Sequence, residues 1–195
     1  IAKSESELNA LVSQVNPHFF FNTFNYVYGT ALQEKASKTA KAIEMMTEMM
    51  RYAMSVMQEK LVPLSEELHF ITNYVNLQLL RLPKNESISI SINIPKTNLN
   101  GMITPMLIIP LIENAFKYGI SIDHKSFIKI TISTSENKLT LNVENSIPPT
   151  TIHNGFGTGL SNVKERLRLL YPRSHHFSIN HTEDHYRIEI SFPIK

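Results

Sequence analysis

Cysteine is absent from this chain of 195 residues, and aspartate occurs only as Asp123 and Asp184. The first absence excludes disulfides, thiol catalysis and cysteine-ligated zinc. The second disfavours sites that need paired aspartates. No apolar run reaches the length of a membrane-spanning helix, and residues 1–20 lack the pattern of a signal peptide. The net charge is only +2, with no basic domain or stripe, so nothing here predicts nucleic-acid binding.

Apolar residues recur at helical spacing in the first third of the chain. Their spacing predicts one helix through Phe19 and a second that begins near Ser37. The apolar face of the second helix carries Ile43, Met46, Met50, Ala53 and Met57. A methionine-rich face of this kind is usually core. Because two such helices cannot bury both apolar faces alone, we expect a helical hairpin that dimerises into a four-helix bundle.

The rest of the chain alternates strands with helices. Apolar residues at every second position predict strands at 88–94, 128–132, 139–143, 177–179 and 186–192. Helices are predicted at 65–82, near 106–118 and near 160–171, and Ser65 is expected to cap the first of them. Strands with one apolar face need a cover on that side only. The chain is therefore expected to be α+β, with a helical region at 1–62 and a two-layer α/β sandwich with a mostly antiparallel sheet at 63–195.

A polar stripe surrounds His18 on the first predicted helix. Gln14, His18 and Asn22 are four residues apart, so they share a helix face. Pro17 removes a backbone donor and is expected to kink this helix. Neutral imidazole is a competent nucleophile, although a plain surface histidine fits the same pattern. The later histidines suggest a zinc pair only weakly; they are His175, His176, His181 and His185.

Two further segments carry residues suited to phosphate chemistry. Glu113, Asn114 and Lys117 form a polar patch on an otherwise apolar helix that Pro110 begins. An amide oxygen suits Mg²⁺, and a lysine one turn later could reach a phosphate, although a solvated face would look the same. Half of the six glycines cluster in residues 155–159, just before a predicted helix. Glycines allow close backbone approach and helix N-termini bind phosphate, but this segment lacks the pattern of a Walker loop or a dinucleotide fold.

In their order along the chain, these segments closely resemble the LytS/YehU-type sensor histidine kinases. Residues 16–23, Asn-Pro-His-Phe-Phe-Phe-Asn-Thr, are similar to the phosphoacceptor signature of that family. Residues 110–119 resemble its N box, and residues 157–167 its second glycine box. Weaker similarities lie at 51–52, at 64–68, and at Tyr74, Gln78 and Arg81. The resemblance spans nearly the whole chain and implies that the sandwich is an ATP-binding domain of Bergerat (GHKL ATPase) type.

The resemblance implies roles for individual residues, with ATP and Mg²⁺ as cofactors. His18 would accept the γ-phosphoryl group and Asn114 would hold the metal. The nucleotide would be bound by Asn114, Lys117, Asn145, Gly157, Thr158, Gly159 and Leu160. Asn145 stands where many relatives have an aspartate that reads the adenine amino group, and the glycine of that box is missing. An amide oxygen can still accept from an amino group.

Two further roles concern the chemistry at His18. Many histidine kinases carry an acid next to the phosphoacceptor, but here the neighbour is Phe19. We therefore expect Glu113 to act as the base. Asn22 lies one helical turn after His18, the spacing at which many bifunctional histidine kinases place a polar residue that dephosphorylates their regulator. The alternative is that Asn22 bonds the carbonyl of His18 and caps an irregular helix.

The implied function is that of a two-component histidine kinase core. It would autophosphorylate His18 and pass the phosphoryl group to an aspartate of a response regulator, with the loop 146–158 closing as a lid. The implied assembly is a homodimer through the N-terminal helices, forming the cytoplasmic portion of an inner-membrane sensor whose membrane part lies upstream. Asn145 and the missing glycine favour one alternative, a catalytically impaired dimeric ATP-binding scaffold. Another is an ATPase or protein serine kinase of the same superfamily.

Overall fold

The computed structural model describes residues 17–83, 86–96, 100–135, 137–149 and 158–195. The chain divides into two compact units between Arg51 and Tyr52. The division lies earlier than residue 62, where the sequence predicts the functional boundary, and that boundary stays a prediction. None of the helices in the described residues is long and apolar enough to cross a membrane.

The first unit contains a helical hairpin, except that the last turn of its second helix, from Tyr52 onward, belongs to the second unit. Helix α1 spans Pro17–Gln33 and helix α2 spans Ser37–Ser55. The turn between them has Lys35 at a φ of 56°, and the Ala36 N–H donates to the Ala31 carbonyl at 2.8 Å. The small side chains of Ala31 and Ala40 let the helices approach closely, and they are buried together with Ile43. The predicted hairpin is confirmed, whereas residues 1–16, including Gln14, lie outside the described part, and the described helix begins at Pro17.

Within one chain, the predicted methionine face of α2 is buried only in part. Ile43 and Met45 are buried, but Met46 and Met57 expose 43% and 54% of their surface. Met57 lies beyond the last residue of α2, so it does not share the helical spacing on which the prediction rested. The side of α2 that is buried inside one chain is therefore narrower than the predicted apolar face, and burial of the remainder in a dimer stays a prediction.

The described part of the second unit contains the strands β1 (Val62–Pro63), β2 (Ile88–Asn93), β3 (Met102–Ile103), β4 (Ser126–Ser135), β5 (Lys138–Ser146), β6 (His176–His181) and β7 (His185–Pro193). Five of them form one sheet with the strand order β2-β4-β5-β7-β6. Strand β2 pairs with β4 in parallel, and the other three pairings of this sheet are antiparallel. Strands β1 and β3 form a separate antiparallel pair. The mostly antiparallel sheet is as predicted.

Three helices cover one face of this sheet. They are α3 (Leu64–Arg81), α4 (Ile109–Tyr118) and α5 (Thr158–Leu170). Burial alternates along the central strands, so that Ile130 and Leu141 are fully buried. The opposite face is polar, and there Arg187 of β7 lies 3.8 Å from Glu144 of β5. The two-layer sandwich is therefore confirmed.

Two helix starts differ from the predictions. Helix α3 has Pro63 rather than Ser65 at its N-cap, with no side-chain cap bond. Because β1 leads directly into α3, the Leu64 N–H donates to the Gly101 carbonyl at 2.9 Å and needs no serine. Helix α4 begins at Ile109 rather than 106, since Met106 adopts a left-handed φ of 55°. Pro110 does lie in the first turn of α4, as expected.

Candidate functional site

His18 and Asn22 lie on the same exposed face of α1. The amide nitrogen of Asn22 is 3.2 Å from Nδ1 and 3.4 Å from Nε2 of the His18 ring. An amide nitrogen only donates, so it bonds whichever ring nitrogen carries no proton. The polar pairing predicted from the spacing of four residues is therefore present, and the imidazole is accessible.

The bond that the capping alternative requires is made by a different residue. The Thr23 hydroxyl donates to the Phe19 carbonyl at 2.8 Å, within the first turns of α1. The amide nitrogen of Asn22 instead lies within hydrogen-bonding distance of the ring of His18. The role of Asn22 in orienting water stays a prediction.

Helix α4 presents the predicted polar patch. Glu113 and Lys117 are exposed and Asn114 is half-buried, while the neighbouring Ile112 and Ala115 are fully buried. The Lys117 ammonium lies 4.9 Å from the centre of the Tyr118 ring. Although Glu113 is exposed as a residue, partial burial of its carboxyl group raises the pKa of Glu113. This helix therefore offers a carboxylate, an amide and an ammonium group within two turns.

The neighbouring face of α3 carries Tyr74, Gln78 and Arg81. The ring of Tyr74 meets Phe116 of α4 edge to face, with centres 6.1 Å apart. Burial and then the charge of Glu113 raise the pKa of Tyr74 to about 12. Arg81 donates to the Gln78 side chain at 3.3 Å. The motif noted in the sequence thus lies next to the candidate base, and its phenol stays protonated.

The end of α4 is joined to the end of β5 around Asn145. A Cβ placed on Gly119 would lie 2.6 Å from both the Asn145 Cβ and the Ala115 carbonyl oxygen. The Ser146 hydroxyl donates to the Gly119 carbonyl and accepts the Phe127 N–H, both at 2.9 Å. Only glycine at position 119 allows this close approach.

The Asn145 side chain is itself held in one orientation. It is 4% exposed, and its amide nitrogen donates to the Ser146 carbonyl at 2.8 Å. A carbonyl oxygen only accepts, so the atom facing it must be the nitrogen. The amide oxygen of Asn145 is therefore the atom that can accept a hydrogen bond from a ligand.

The glycine-rich segment is described only from Thr158 onward. Gly157 and the lid residues 150–156 lie outside the described part, as does the side chain of Thr158. Gly159 lies in the first turn of α5, and a Cβ placed there would be 3.8 Å from the Cβ of Pro110. The starts of α4 and α5 are therefore neighbours. Leu160 is 5% exposed, so its side chain is part of the core.

The sequence did not reveal the most deeply buried charged residue. Glu67 lies in the first turn of α3, where acidic side chains are common, but it has zero exposure. Its carboxylate accepts the Met106 N–H at 3.0 and 3.2 Å and the Tyr52 hydroxyl at 2.5 Å. The weak family similarities at 51–52 and 64–68 were the only signal for this pairing.

The described residues contain no group of three or more histidine or acidic side chains that could hold a metal ion. In the C-terminal hairpin, Nδ1 of His175 lies 2.8 Å from the Tyr171 carbonyl oxygen. Asn114 therefore remains the candidate magnesium ligand within the described part. Its amide oxygen is a suitable donor, because Mg²⁺ usually takes only one or two protein ligands alongside water and phosphate.

Comparison with known proteins identifies the family. A model described as histidine kinase matches residues 6–86. Sensor protein LytS of Oceanobacillus iheyensis is 31% identical over 156 residues, which cover 78% of this chain and 24% of that protein. The chain belongs to the histidine kinase family. The resemblance found in its motifs is thereby confirmed.

Other histidine kinases show the same similarity. Sensor histidine kinase YpdA of Escherichia coli is 27% identical over 184 residues, covering 89% of this chain and 32% of that protein. YesM of Bacillus subtilis is 26% identical over 198 residues, covering 98% and 34%. The chain thus spans a quarter to a third of the length of these relatives. The catalytic domain of histidine kinase ThkA superposes with a TM-score of 0.50 at 17% identity, covering 69% of this chain and 96% of that domain, which supports the fold.

Proposed function

We propose that this chain is the catalytic core of a sensor histidine kinase that phosphorylates itself on His18. The observation that carries the proposal is the exposed His18 imidazole, paired with Asn22, in a chain of the histidine kinase family. A ring nitrogen of His18 attacks the γ-phosphorus of ATP. The new N–P bond replaces the bond to the bridging oxygen, ADP leaves, and the ring proton passes to a base.

The second unit supplies the nucleotide site. The amide oxygen of Asn145 accepts from the adenine amino group, since the nitrogen is already bonded to Ser146. Asn114 ligates Mg²⁺, which neutralises phosphate charge when it is bound. Exposed Lys117 reaches the phosphates, and the backbone of Gly157, Thr158, Gly159 and Leu160 approaches them. The adjacent starts of α4 and α5 support this grouping.

Glu113 is the proposed base for the ring proton. Burial raises its pKa above the ordinary value of 4.5, which brings a carboxylate closer to the range useful for proton transfer. His18 and Glu113 belong to different compact units. The proposal therefore requires the two units to meet during transfer.

The partners follow from the family and extend beyond this chain. The phosphoryl group of His18 passes to an aspartate of a response regulator, and Asn22 orients water during its later removal. Exposed apolar residues on α1, such as Tyr26 and Leu32, support a homodimer through the N-terminal helices. The chain would be the cytoplasmic portion of an inner-membrane sensor with a membrane and sensor region upstream.

The direct test is incubation with γ-labelled ATP and Mg²⁺. We expect the wild type to acquire a label that is labile in acid and stable in alkali. His18→Gln should not label, whereas His176→Gln, which changes another exposed histidine, should label normally. Wild-type labelling by the His18→Gln variant would overturn the proposal. Acid-stable label on serine or threonine would support the serine kinase alternative.

A second candidate function is the catalytically impaired ATP-binding scaffold. It is favoured by Asn145, which lacks the charge of the usual aspartate. Competition between ATP and ITP for binding tests whether Asn145 reads the base, because ITP has a carbonyl in place of the amino group. Asn145→Ala should reduce the preference for ATP, whereas Asn142→Ala, on the other face of β5, should not. Binding of Mg·ATP without any labelling of His18 would support the scaffold.

A further inference from the structure

The buried carboxylate of Glu67 has no part in the proposed phosphoryl transfer. Burial raises its pKa, while the Tyr52 hydroxyl, the Met106 N–H and the Arg166 charge act in the opposite direction. Two donors point at its oxygens, Tyr52 and Met106. A carboxylate satisfies both, because its oxygens only accept.

The same carboxylate holds a strained turn that leads into α4. Met106 has a left-handed φ of 55°, which costs a non-glycine residue about 1–3 kcal/mol unless its surroundings hold it. Glu67 binds the N–H of Met106, and the Arg166 guanidinium donates to the carbonyls of Met106 at 3.0 Å and Pro105 at 2.9 Å. The turn is thus clamped between α3, which carries Glu67, and α5, which carries Arg166. Leu107 and Ile108 follow it, fully buried, at the start of α4.

Tyr52 brings the end of α2 to the same carboxylate. It lies in the last turn of α2, and its ring packs on Phe70 of α3 with centres 5.1 Å apart. Burial and the charge of Glu67 raise the pKa of Tyr52 far above its ordinary value, so the hydroxyl remains a donor. A rotation of this last turn would pull the hydroxyl away from Glu67.

We propose that Glu67 is a positioning residue that couples the last turn of α2 to α4 and α5. Helix α2 directly follows the helix of His18, and α4 and α5 carry the residues assigned to the nucleotide. Displacement of Tyr52 removes one hydrogen-bond donor from the Glu67 carboxylate and loosens the turn at residues 105–106. In the other direction, a nucleotide bound at α4 and α5 stabilises this turn, and the stabilised turn holds Tyr52 in place through Glu67. This inference rests on the proposed nucleotide site.

Hydrogen exchange of the whole chain, with and without Mg²⁺ and a non-hydrolysable ATP analogue, tests the coupling. In the wild type, nucleotide should slow exchange in α4 and α5, and also in the last turn of α2 by about fivefold. Tyr52→Phe keeps the ring on Phe70 but removes the hydroxyl. It should lose the slowing in α2 and keep the slowing in α4 and α5.

Tyr171→Phe is the matched control. Tyr171 is also buried, packs on Phe192 with centres 4.9 Å apart, and shares a 3.1 Å hydroxyl bond with Thr104, but it does not touch Glu67. It should keep the nucleotide-dependent slowing in α2 even if its melting temperature falls as far as that of Tyr52→Phe. An equal response of α2 in Tyr52→Phe and wild type, or no response in wild type, overturns the coupling. Absence of slowing in α4 and α5 overturns the nucleotide site itself.

Discussion

The two units of the chain treat their apolar side chains differently. Ile112 of the second unit is fully buried, whereas Tyr26 and Leu32 of the first expose 77% and 53% of their surface. In the part of the first unit that the structure describes, the buried cluster between the two helices consists of Ala31, Ala40 and Ile43. A sheet covered by three helices completes its own core, but a two-helix hairpin has only one internal face. The described helices of the first unit therefore leave large apolar side chains without a cover inside one chain, whereas the sheet of the second unit has a closed core of its own.

The largest expected effect is on the free energy of unfolding, when one aliphatic side chain in each unit is truncated to alanine. Ile112→Ala should lower the free energy of unfolding by about 2–5 kcal/mol, because it leaves a cavity in a closed core. Leu32→Ala should change it by less than about 0.5 kcal/mol when the chain is dilute and monomeric. Urea unfolding measures both values.

At higher protein concentration, the Leu32→Ala variant also tests whether the exposed face of α1 takes part in dimerisation. Sedimentation should show that Leu32→Ala weakens dimerisation, since the side chain is exposed within one chain. Dimerisation as strong as in the wild type would show that this face of α1 has no role in assembly.

A glycine in each unit provides the next comparison. A Cβ at position 119 meets the Ala115 carbonyl oxygen and the Asn145 Cβ at 2.6 Å, whereas no atom lies within 4 Å of a Cβ at position 29. Gly119→Ala should destabilise the protein by about 1–3 kcal/mol through overpacking. Gly29→Ala should stabilise α1 by about 0.5–1 kcal/mol, because glycine is unfavourable inside a helix.

Thermal unfolding and ATP binding together check the glycine pair. Gly119→Ala should also weaken ATP binding because it displaces Asn145, while Gly29→Ala should leave binding unchanged. A neutral effect of Gly119→Ala on both measurements would contradict the role assigned to the contact with Asn145.

A smaller effect concerns the pH dependence of the second unit. Burial raises the pKa of Glu67 above 4.5, so the folded state holds a proton there more readily than the unfolded state. Stability from this group is therefore present at low pH and lost as the pH rises from 4.5 through the raised pKa. The free energy of unfolding of the wild type, relative to that of Glu67→Gln, should accordingly decrease as the pH rises.

Urea unfolding across this pH range, with Glu165→Gln as the contrast, measures the trend. The hydrogen bond from Arg168 lowers the pKa of Glu165. The small contribution of Glu165 to the stability of the folded state should therefore be present at neutral pH and be lost as the pH falls, opposite to that of Glu67. A Glu67 difference that grows with pH would mean that its hydrogen bonds outweigh its burial.

The smallest effect on stability is expected in the first turns of α1. Asn22→Ala should leave unfolding within about 0.5 kcal/mol of wild type and keep labelling of His18, because Asn22 is exposed. It should slow loss of phosphate from the response regulator. Thr23→Ala, which removes only the bond to Phe19, should leave that rate unchanged. Parallel loss of both activities with a lower melting temperature in Asn22→Ala would indicate a structural role instead.

Local periodicity made much of the fold predictable. The alternation of Ile128, Ile130 and Ile132 identified β4, because a strand buried on one face needs an apolar residue at every second position. The spacing of four residues likewise predicted that His18 and Asn22 share a face. Both features depend only on residues close together in the sequence.

Contacts between distant segments were not predictable in this way. Ser65 has the composition of an N-cap, but the pairing of β1 with β3 places Leu64 beside Gly101 and makes a serine cap unnecessary. The burial of Glu67 depends on Tyr52 and on Met106, which lies in another loop. The contact of Gly119 with Asn145 likewise joins a helix end to a strand that comes later in the chain.

The order of strands in the sheet also constrains the folding kinetics. Two pairs of strands are neighbours both in the sequence and in the sheet, namely β4 with β5 and β6 with β7. Only short loops have to close to form these pairs. Edge strand β2 pairs with β4, but β3 and α4 lie between these two strands in the sequence. Closing this longer connection costs more entropy. We expect β2 to join the sheet after the rate-limiting step of folding. Val143→Ala in β5 should therefore slow refolding, whereas Ile90→Ala in β2 should mainly speed unfolding.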